Sequence, residues 1–214
     1  MRVEVKICGL TRPADAAVAV AAGASYLGVV FAGGPRAVNP GQARAIVLAG
    51  APLPVLGVFA GQTVEEILRV CHAAGLAGAQ LHGAHVHADA ARLRRAGLLV
   101  WRVVRLGFEP PGPTVSAAAE DADAVLIEPW VKGQLGGTGQ ALDLEQAGAA
   151  RAALAGHRMV LAGGLTPESV GAAIRRVRPD IVDVSSGVES APGRKDAIRI
   201  RDFLEAVIGH DAPA

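Results

Sequence analysis

The stretch Val3-Glu4-Val5-Lys6-Ile7-Cys8-Gly9-Leu10-Thr11-Arg12-Pro13 decides how the chain begins to fold. Val3 to Cys8 alternates with the period of a strand: Val5 and Ile7 point to one side, Glu4, Lys6 and Cys8 to the other. In a closed barrel the first set meets the surrounding helices and the second faces the lumen. Pro13 suits the first turn of a helix, where its missing N–H costs nothing. The Ala-rich segment behind it predicts a helix as far as Gly23. No dinucleotide fingerprint follows the strand, because Cys8-Gly9-Leu10-Thr11 lacks the glycine spacing of a pyrophosphate turn.

The change of period recurs along the chain. Further strands are predicted over Tyr26 to Phe31, Val55 to Phe59, Ala79 to His82, Leu98 to Val104, Ala124 to Glu128, Met159 to Ala162 and Ile181 to Val184. Between and after them, helices are predicted over Pro40 to Leu48, Thr63 to Ala73, His85 to Arg95, Thr114 to Glu120, Leu144 to Leu154, Pro167 to Val177 and Lys195 to Ile208. The fifth helix reads as weak or shortened, caught between a Pro-rich turn and Asp121. The repeated strand–helix unit predicts an α/β chain with a single compact (β/α)8 barrel, a TIM barrel, over residues 1–208. Residues 209–214 read as a flexible tail.

Hydrophobic residues make up 51% of the 214 residues, but aromatic residues only 3%. An interior of Val, Leu, Ile and Ala suits strands covered on both faces, although composition bias explains the Ala excess equally well. Twenty-one Lys and Arg stand against 20 Asp and Glu, a net charge of +1 without a basic block, so no nucleic-acid partner is expected. The two cysteines, Cys8 and Cys71, form no CxxC or zinc spacing. His82, His85 and His87 lie close, but the last two begin a helix, so no metal is expected. Lys6 and Arg12 interrupt the opening segment, and no apolar run reaches membrane-spanning length. The expectation is a cytoplasmic protein without a membrane partner, either monomer or homodimer.

Active sites of such barrels sit at the carboxyl ends of the strands. That rule singles out Cys8, Arg36, His82, Glu128 and Asp183, with the turns Gly136-Gly137-Thr138-Gly139, Ala162-Gly163-Gly164-Leu165-Thr166-Pro167 and Ser185-Ser186-Gly187-Val188. Gly163, Gly164, Ser186 and Gly187 offer converging backbone N–H groups, and the first turn leads into a helix amino terminus, a favourable end for phosphate. Each turn also reads as an ordinary loop. Cys8 lies on the lumen parity with Lys6, whose charge can lower a thiol pKa. General base, nucleophile and plain buried cysteine are all open from position alone, whereas Cys71 reads as structural. Glu128, before Pro129 and Trp130, is placed to be a general acid raised by an apolar surrounding, or a solvated surface carboxylate. Arg36 can pair bidentately with a carboxylate or phosphate, or be a plain loop arginine. Asp183 shares parity with Ser185 and reads as an organiser of the site or a contact to substrate hydroxyls.

These segments, in this order, resemble the phosphoribosylanthranilate isomerase family over nearly the full chain. The matching motifs are Val5-Lys6-Ile7-Cys8-Gly9-Leu10-Thr11, Gly34-Pro35-Arg36, Gly57-Val58-Phe59, Gln80-Leu81-His82-Gly83, Gly136-Gly137-Thr138-Gly139, Leu161-Ala162-Gly163-Gly164-Leu165, Val182-Asp183-Val184-Ser185-Ser186-Gly187-Val188-Glu189 and Pro192-Gly193-Arg194-Lys195-Asp196. The resemblance implies an Amadori rearrangement of a small phosphosugar, N-(5-phosphoribosyl)anthranilate, without metal or organic cofactor. It makes Cys8 the base, aligns Arg36 with an arginine that contacts the anthranilate side, and gives the phosphate to the turns around Gly164 and Ser186. One departure stands out: the family's acid is usually an aspartate, and the matching residue here is Glu128. The longer side chain must be absorbed by the backbone or rotamer, and a misplacement of about 1 Å can cost roughly a hundredfold in rate. Asp123 is a poorer candidate, near the opposite end of the same strand.

Three other functions fit parts of this pattern. A histidine-pathway isomerase is expected to show two similar half-barrels, each with an aspartate, where this chain has Cys8 and Glu128. Indole-glycerol-phosphate synthase needs a lysine-led site and usually an added amino-terminal segment, whereas the first strand here starts almost at Met1. A barrel that binds the phosphosugar without turnover would rest on the glutamate alone.

Overall fold

A computed structural model describes residues 2–83, 85, 87–107, 112–131 and 141–209. Eight parallel strands close into one barrel in sequence order. They are β1 (Glu4–Ile7), β2 (Tyr26–Val30), β3 (Val55–Ala60), β4 (Gly78–His82), β5 (Leu99–Leu106), β6 (Ala124–Pro129), β7 (Met159–Leu161) and β8 (Ile181–Val184). Closure runs through β1 against β8, with Lys6 opposite Asp183. The helices outside are α1 (Pro13–Ala22), α2 (Pro40–Ala49), α3 (Val64–Ala74), α4 (His87–Arg95), α5 (Gly112–Ala119), α6 (Leu144–Ala153), α7 (Val170–Val177) and α8 (Ala197–Ile208). Helix α5 has 8 residues, short as expected, and α7 is no longer. Among the described residues no helix is long and apolar enough to cross a membrane.

Strand alternation divides the interior into two cores. Val5, Ile7, Phe59, Val125 and Val182 join Phe203 of α8 in the larger, between sheet and helices. Leu56, Trp101, Ala124, Leu126, Val160 and Ile181 fill the lumen. Tyr26 meets Trp101 edge-on at 5.1 Å between ring centroids, and the Lys6 ammonium lies 5.5 Å from the Trp101 ring. The lumen is therefore apolar at its floor and polar above Trp101. Gly28 faces this boundary: a Cβ there would come within 2.8 Å of Cys8 Sγ and 3.0 Å of Lys6 Cε. The absent side chain is the room that Lys6 and Cys8 occupy.

Helix starts follow local chemistry. Asn39 with Gln42, and Thr63 with Glu66, form reciprocal capping boxes on α2 and α3. Three boundaries differ from the sequence reading in ways that matter for the site. Strand β5 continues past Val104 and brings Arg105 into register with Glu128 of β6. Helix α7 begins at Val170 rather than Pro167, because the Ser169 hydroxyl accepts from Thr166 N and holds residues 166–169 in a turn. Lys195 does not start the last helix. A 3₁₀ turn (Ser186–Val188) leads into a hairpin of β9 (Glu189–Ala191) and β10 (Arg194–Lys195), and the Asp196 side chain caps α8. Thr11 Oγ1 and Asp15 Oδ2 bond to Gly193 O and Lys195 N, pinning this hairpin to the loop after β1 and to the first turn of α1. The tail beyond residue 209 lies outside the described residues.

Two glycines test this packing in opposite directions. A Cβ at Gly78 would lie 2.5 Å from the Leu99 carbonyl oxygen, a backbone atom that cannot swing away, whereas one at Gly148 in α6 meets nothing within 4 Å. Urea unfolding is expected to show Gly78→Ala destabilised by about 1–3 kcal/mol. Gly148→Ala is expected to be stabilised by about 0.5–1 kcal/mol through helix propensity.

Candidate active site

The polar half of the lumen is organised by Lys6, which is fully buried. An ammonium has three donors. Lys6 Nζ donates to Asp183 Oδ1 at 2.9 Å, to Gln80 Oε1 at 2.9 Å, and to the Cys8 thiol. Burial works against its charge, but Asp183 and Cys8 together outweigh burial and hold its pKa above the ordinary value. Cys8 does not follow the sequence expectation that Lys6 would lower it. Burial raises the thiol, Lys6 pulls the other way, and Asp183 offsets much of that pull. The thiol is protonated in the resting site.

Gln80 carries the network onward to His82, with 3.0 Å between Gln80 Nε2 and His82 Nε2. His82 is 3% exposed, and its Nδ1 lies 3.5 Å from Glu128 Oε1. Burial, then Arg105 and Lys6, pull its pKa down to about 3, so the ring is neutral and the contact with Glu128 is not an ion pair. Glu128 is 6% exposed and ends β6 beside Arg105, whose Nε donates to Oε1 at 2.9 Å. Burial raises its carboxyl pKa, and Arg105 opposes that shift without reversing it. A buried carboxyl held above its normal range can donate a proton. Asp123 is spent elsewhere: Oδ2 accepts from Val100 N at the start of β5, and Oδ1 pairs with Arg94.

A second polar hub lies above Cys8. Arg36 reaches Glu189 bidentately at 2.8 and 2.7 Å. Lys195 Nζ donates to Glu189 at 2.9 Å and to the Ser185 carbonyl at 3.0 Å. Burial alone would raise Glu189, but Arg36 and Lys195 outweigh it and hold the carboxylate ionised. Beside this hub, Gly164, Thr166, Ser186, Gly187, Glu189 and Arg199 line a cavity of about 310 Å³. The backbone is left-handed at Gly163 and Gly164, with φ of 102° and 63°. Gly187 is held so close to Leu165 that a Cβ would sit 1.9 Å from its carbonyl oxygen. Because α7 starts only at Val170, the nearer helical N–H groups are those of the 3₁₀ turn (Ser186–Val188) rather than of α7.

The fold thus gathers Cys8, His82, Glu128 and Asp183 into one network through Lys6 and Gln80. Gly164, Ser186 and Gly187 share one cavity, and Gly163 adjoins it without lining it. Arg36 packs over the residue after Cys8, where a Cβ on Gly9 would lie 2.6 Å from its Cδ. Gly136-Gly137-Thr138-Gly139 lies outside the described residues. Cys71 is buried in α3, its thiol pushed up to about 12 by burial. Four site residues were not singled out from sequence: Gln80, Arg105, Glu189 and Lys195. Arg105 lay one residue beyond the predicted strand end. The other three stood inside the quoted motifs, but Gln80 and Glu189 meet Lys6 and Arg36 from 74 and 153 residues away, and Lys195 reaches Glu189 only through the hairpin.

The chain matches the family model described as N-(5'phosphoribosyl)anthranilate (PRA) isomerase over residues 5–206. It is 42% identical over 212 residues to N-(5'-phosphoribosyl)anthranilate isomerase of Pseudomonas fluorescens, covering 96% of this chain and 95% of that one. The structure of phosphoribosyl anthranilate isomerase from Thermotoga maritima superposes with a TM-score of 0.88 at 34% identity, covering 97% of this chain and 99% of that one. A further structure of the enzyme, in complex with reduced 1-(o-carboxyphenylamino)-1-deoxyribulose 5-phosphate, gives a TM-score of 0.84 at 33% identity, with 97% and 99% coverage. A family match from the first strand into the last helix, together with agreement in sequence and in barrel geometry, makes this chain a member of the phosphoribosylanthranilate isomerase family.

Proposed function

We propose that Glu128 and Cys8 act as the acid–base pair of the isomerase reaction, with Asp183, Arg36 and the turns around Gly164 and Ser186 holding the phosphosugar. The reaction converts N-(5-phosphoribosyl)anthranilate to 1-(2-carboxyphenylamino)-1-deoxyribulose 5-phosphate. Glu128 gives its proton to the furanose ring oxygen as the C1–O bond breaks, and the anilino nitrogen supplies the electron pair that forms a C1=N iminium. Cys8 then removes the C2 proton, and those electrons pass to the iminium to form an enolamine. The enolamine becomes the ketone as the C2 hydroxyl loses a proton and C1 gains one. Overall no proton is gained or lost.

The observation that carries this reading is the buried, proton-favouring carboxyl of Glu128 in the same lumen network as Cys8. Cys8 rests as a thiol; the iminium formed beside it supplies the positive charge that favours the thiolate, so the thiol proton leaves to water before Cys8 takes the one from C2 and is a thiol again. Asp183 keeps Oδ2 for a substrate hydroxyl while Oδ1 serves Lys6. Arg36 has its guanidinium fixed by Glu189, oriented for the anthranilate carboxylate. The relative known in complex with a reduced product analogue supports a ligand of the same phosphosugar class here.

Purified protein can be followed by the fluorescence loss of freshly made phosphoribosylanthranilate. Glu128→Gln and Cys8→Ser are each expected to lower kcat by roughly 10²–10⁴-fold with little change in KM. Turnover that survives Glu128→Gln would move the acid role elsewhere. Glu128 is held above the ordinary 4.5 by burial. The acid must be protonated to act, so the alkaline limb of the kcat/KM profile, where activity falls as Glu128 ionises, is expected above that pH, and it should vanish in Glu128→Gln. Ser186→Asp sets a like charge in the phosphate cavity and is expected to raise KM by about tenfold or more, which corresponds to about 1.4 kcal/mol.

His82 governs a different pH effect. Its pKa falls from 6.5 to about 3 on folding, so the unfolded chain binds the proton first as pH drops. Its contribution to stability is full above pH 6.5 and is lost as pH falls toward about 3, by up to about 1.4 kcal/mol per pH unit. Glu128, raised on folding, acts in the opposite sense above pH 4.5. Denaturant titrations of the parent and His82→Asn between pH 7 and 4 should therefore show a shallower loss of stability in the variant.

A further inference from the structure

Donor and acceptor chemistry gives the lumen chain from Lys6 to Glu128 a direction. An ammonium only donates, so the Gln80 atom at 2.9 Å from Lys6 Nζ is the carbonyl oxygen. That orients the amide and leaves its NH₂ toward His82 Nε2 at 3.0 Å. An NH₂ group also only donates, so Nε2 accepts, and the neutral ring carries its proton on Nδ1. Nδ1 lies 3.5 Å from Glu128 Oε1 and is otherwise a buried nitrogen without a hydrogen bond. The same Oε1 already accepts from Arg105 Nε at 2.9 Å.

We propose that Gln80 is a positioning residue for the isomerase: by holding His82 in the Nδ1–H tautomer it aims a donor at Glu128 Oε1 and confines the transferable proton of Glu128 to Oε2. The proposal rests on the reading of Glu128 as the general acid. Two donors converging on one carboxyl oxygen make it a poor place for a proton, so the acid has a single working oxygen. The opposite tautomer would set the Gln80 NH₂ against an N–H at 3.0 Å and leave a lone pair facing Glu128. A protonated ring would hold Glu128 ionised, the wrong form for an acid. Burial and the charges of Arg105 and Lys6 oppose that protonation. The 3.5 Å separation fits a bond that closes when substrate arrives, since catalytic hydrogen bonds are often long beforehand.

The tautomer can be read directly. Protein labelled with ¹⁵N in its six histidines, with His82→Asn to identify the His82 signals, is recorded in long-range ¹H–¹⁵N spectra. The parent is expected to show a protonated Nδ1 and an unprotonated Nε2. In Gln80→Glu the carboxylate still accepts from Lys6 but now accepts from His82 as well, so Nε2 should gain the proton. With that change kcat is expected to fall about tenfold to a hundredfold, the scale on which outer positioning groups act, with KM within about twofold. Gln80→Met, which removes the donor without adding charge, should populate both tautomers with a smaller loss, and serves if Gln80→Glu does not fold. An Nε2–H parent would overturn the proposal, as would a switched tautomer with unchanged kcat. Turnover surviving in Glu128→Gln would overturn the acid assignment beneath it while leaving the Nδ1–H signal in place, so the two failures are told apart.

Discussion

A fully buried ammonium is the constraint around which the upper lumen is built. Removing such a charge from water costs several kcal/mol, and the cost is offset only when every donor finds a well-placed acceptor. Lys6 finds three: Asp183 on β8, Gln80 on β4 and Cys8 just past its own strand. The requirement ties the closing seam of the barrel to its far wall. It also explains why β2 carries Gly28 where another strand would carry a side chain. Replacing Lys6 alone would leave Asp183 as a buried carboxylate without its cation, the costly half of a broken pair.

The same constraint governs the chemistry. Burial raises the Cys8 thiol, and Asp183 opposes the pull of Lys6, so the ammonium orients Cys8 without ionising it and the thiol remains protonated. On the other side of the lumen, Arg105 holds one oxygen of Glu128 but does not overcome the burial that favours the neutral carboxyl. Burial thus favours the protonated form of both partners of the proposed pair. The charge that would release the Cys8 proton comes from the substrate, as its iminium forms. A site arranged in this way has little reactive thiolate to lose to oxidation between turnovers.

Glu189 plays the matching role outside the lumen. One carboxylate receives Arg36 from the loop after β2 and Lys195 from β10. It thereby joins Arg36 to the hairpin and, through Lys195 and the Ser185 carbonyl, to the end of β8. Glu128 fits this picture of braced side chains. Its carboxyl is pinned by Arg105 from the neighbouring strand.

Much of this was legible in the chain before folding. Period-two alternation with Pro and Gly punctuation marks all eight strands to within a residue or two, because it reflects a local rule of which face each residue presents. Lumen parity puts Lys6, Cys8, Glu128 and Asp183 on one surface for the same reason, and the ordered motifs carry the family. What the sequence could not decide are relations between residues distant along it. That Gln80 bridges Lys6 to His82, that Arg105 braces Glu128, and that Glu189 gathers Arg36 and Lys195 all depend on barrel closure and strand register. The state of Cys8 belongs to the same class: a neighbouring lysine is visible in the sequence, but the burial that raises the thiol, and the aspartate 177 residues from Lys6 that opposes the lysine, are not. Local periodicity determined the architecture, whereas burial and long-range charge pairing, which exist only in the folded barrel, decided the protonation of its site.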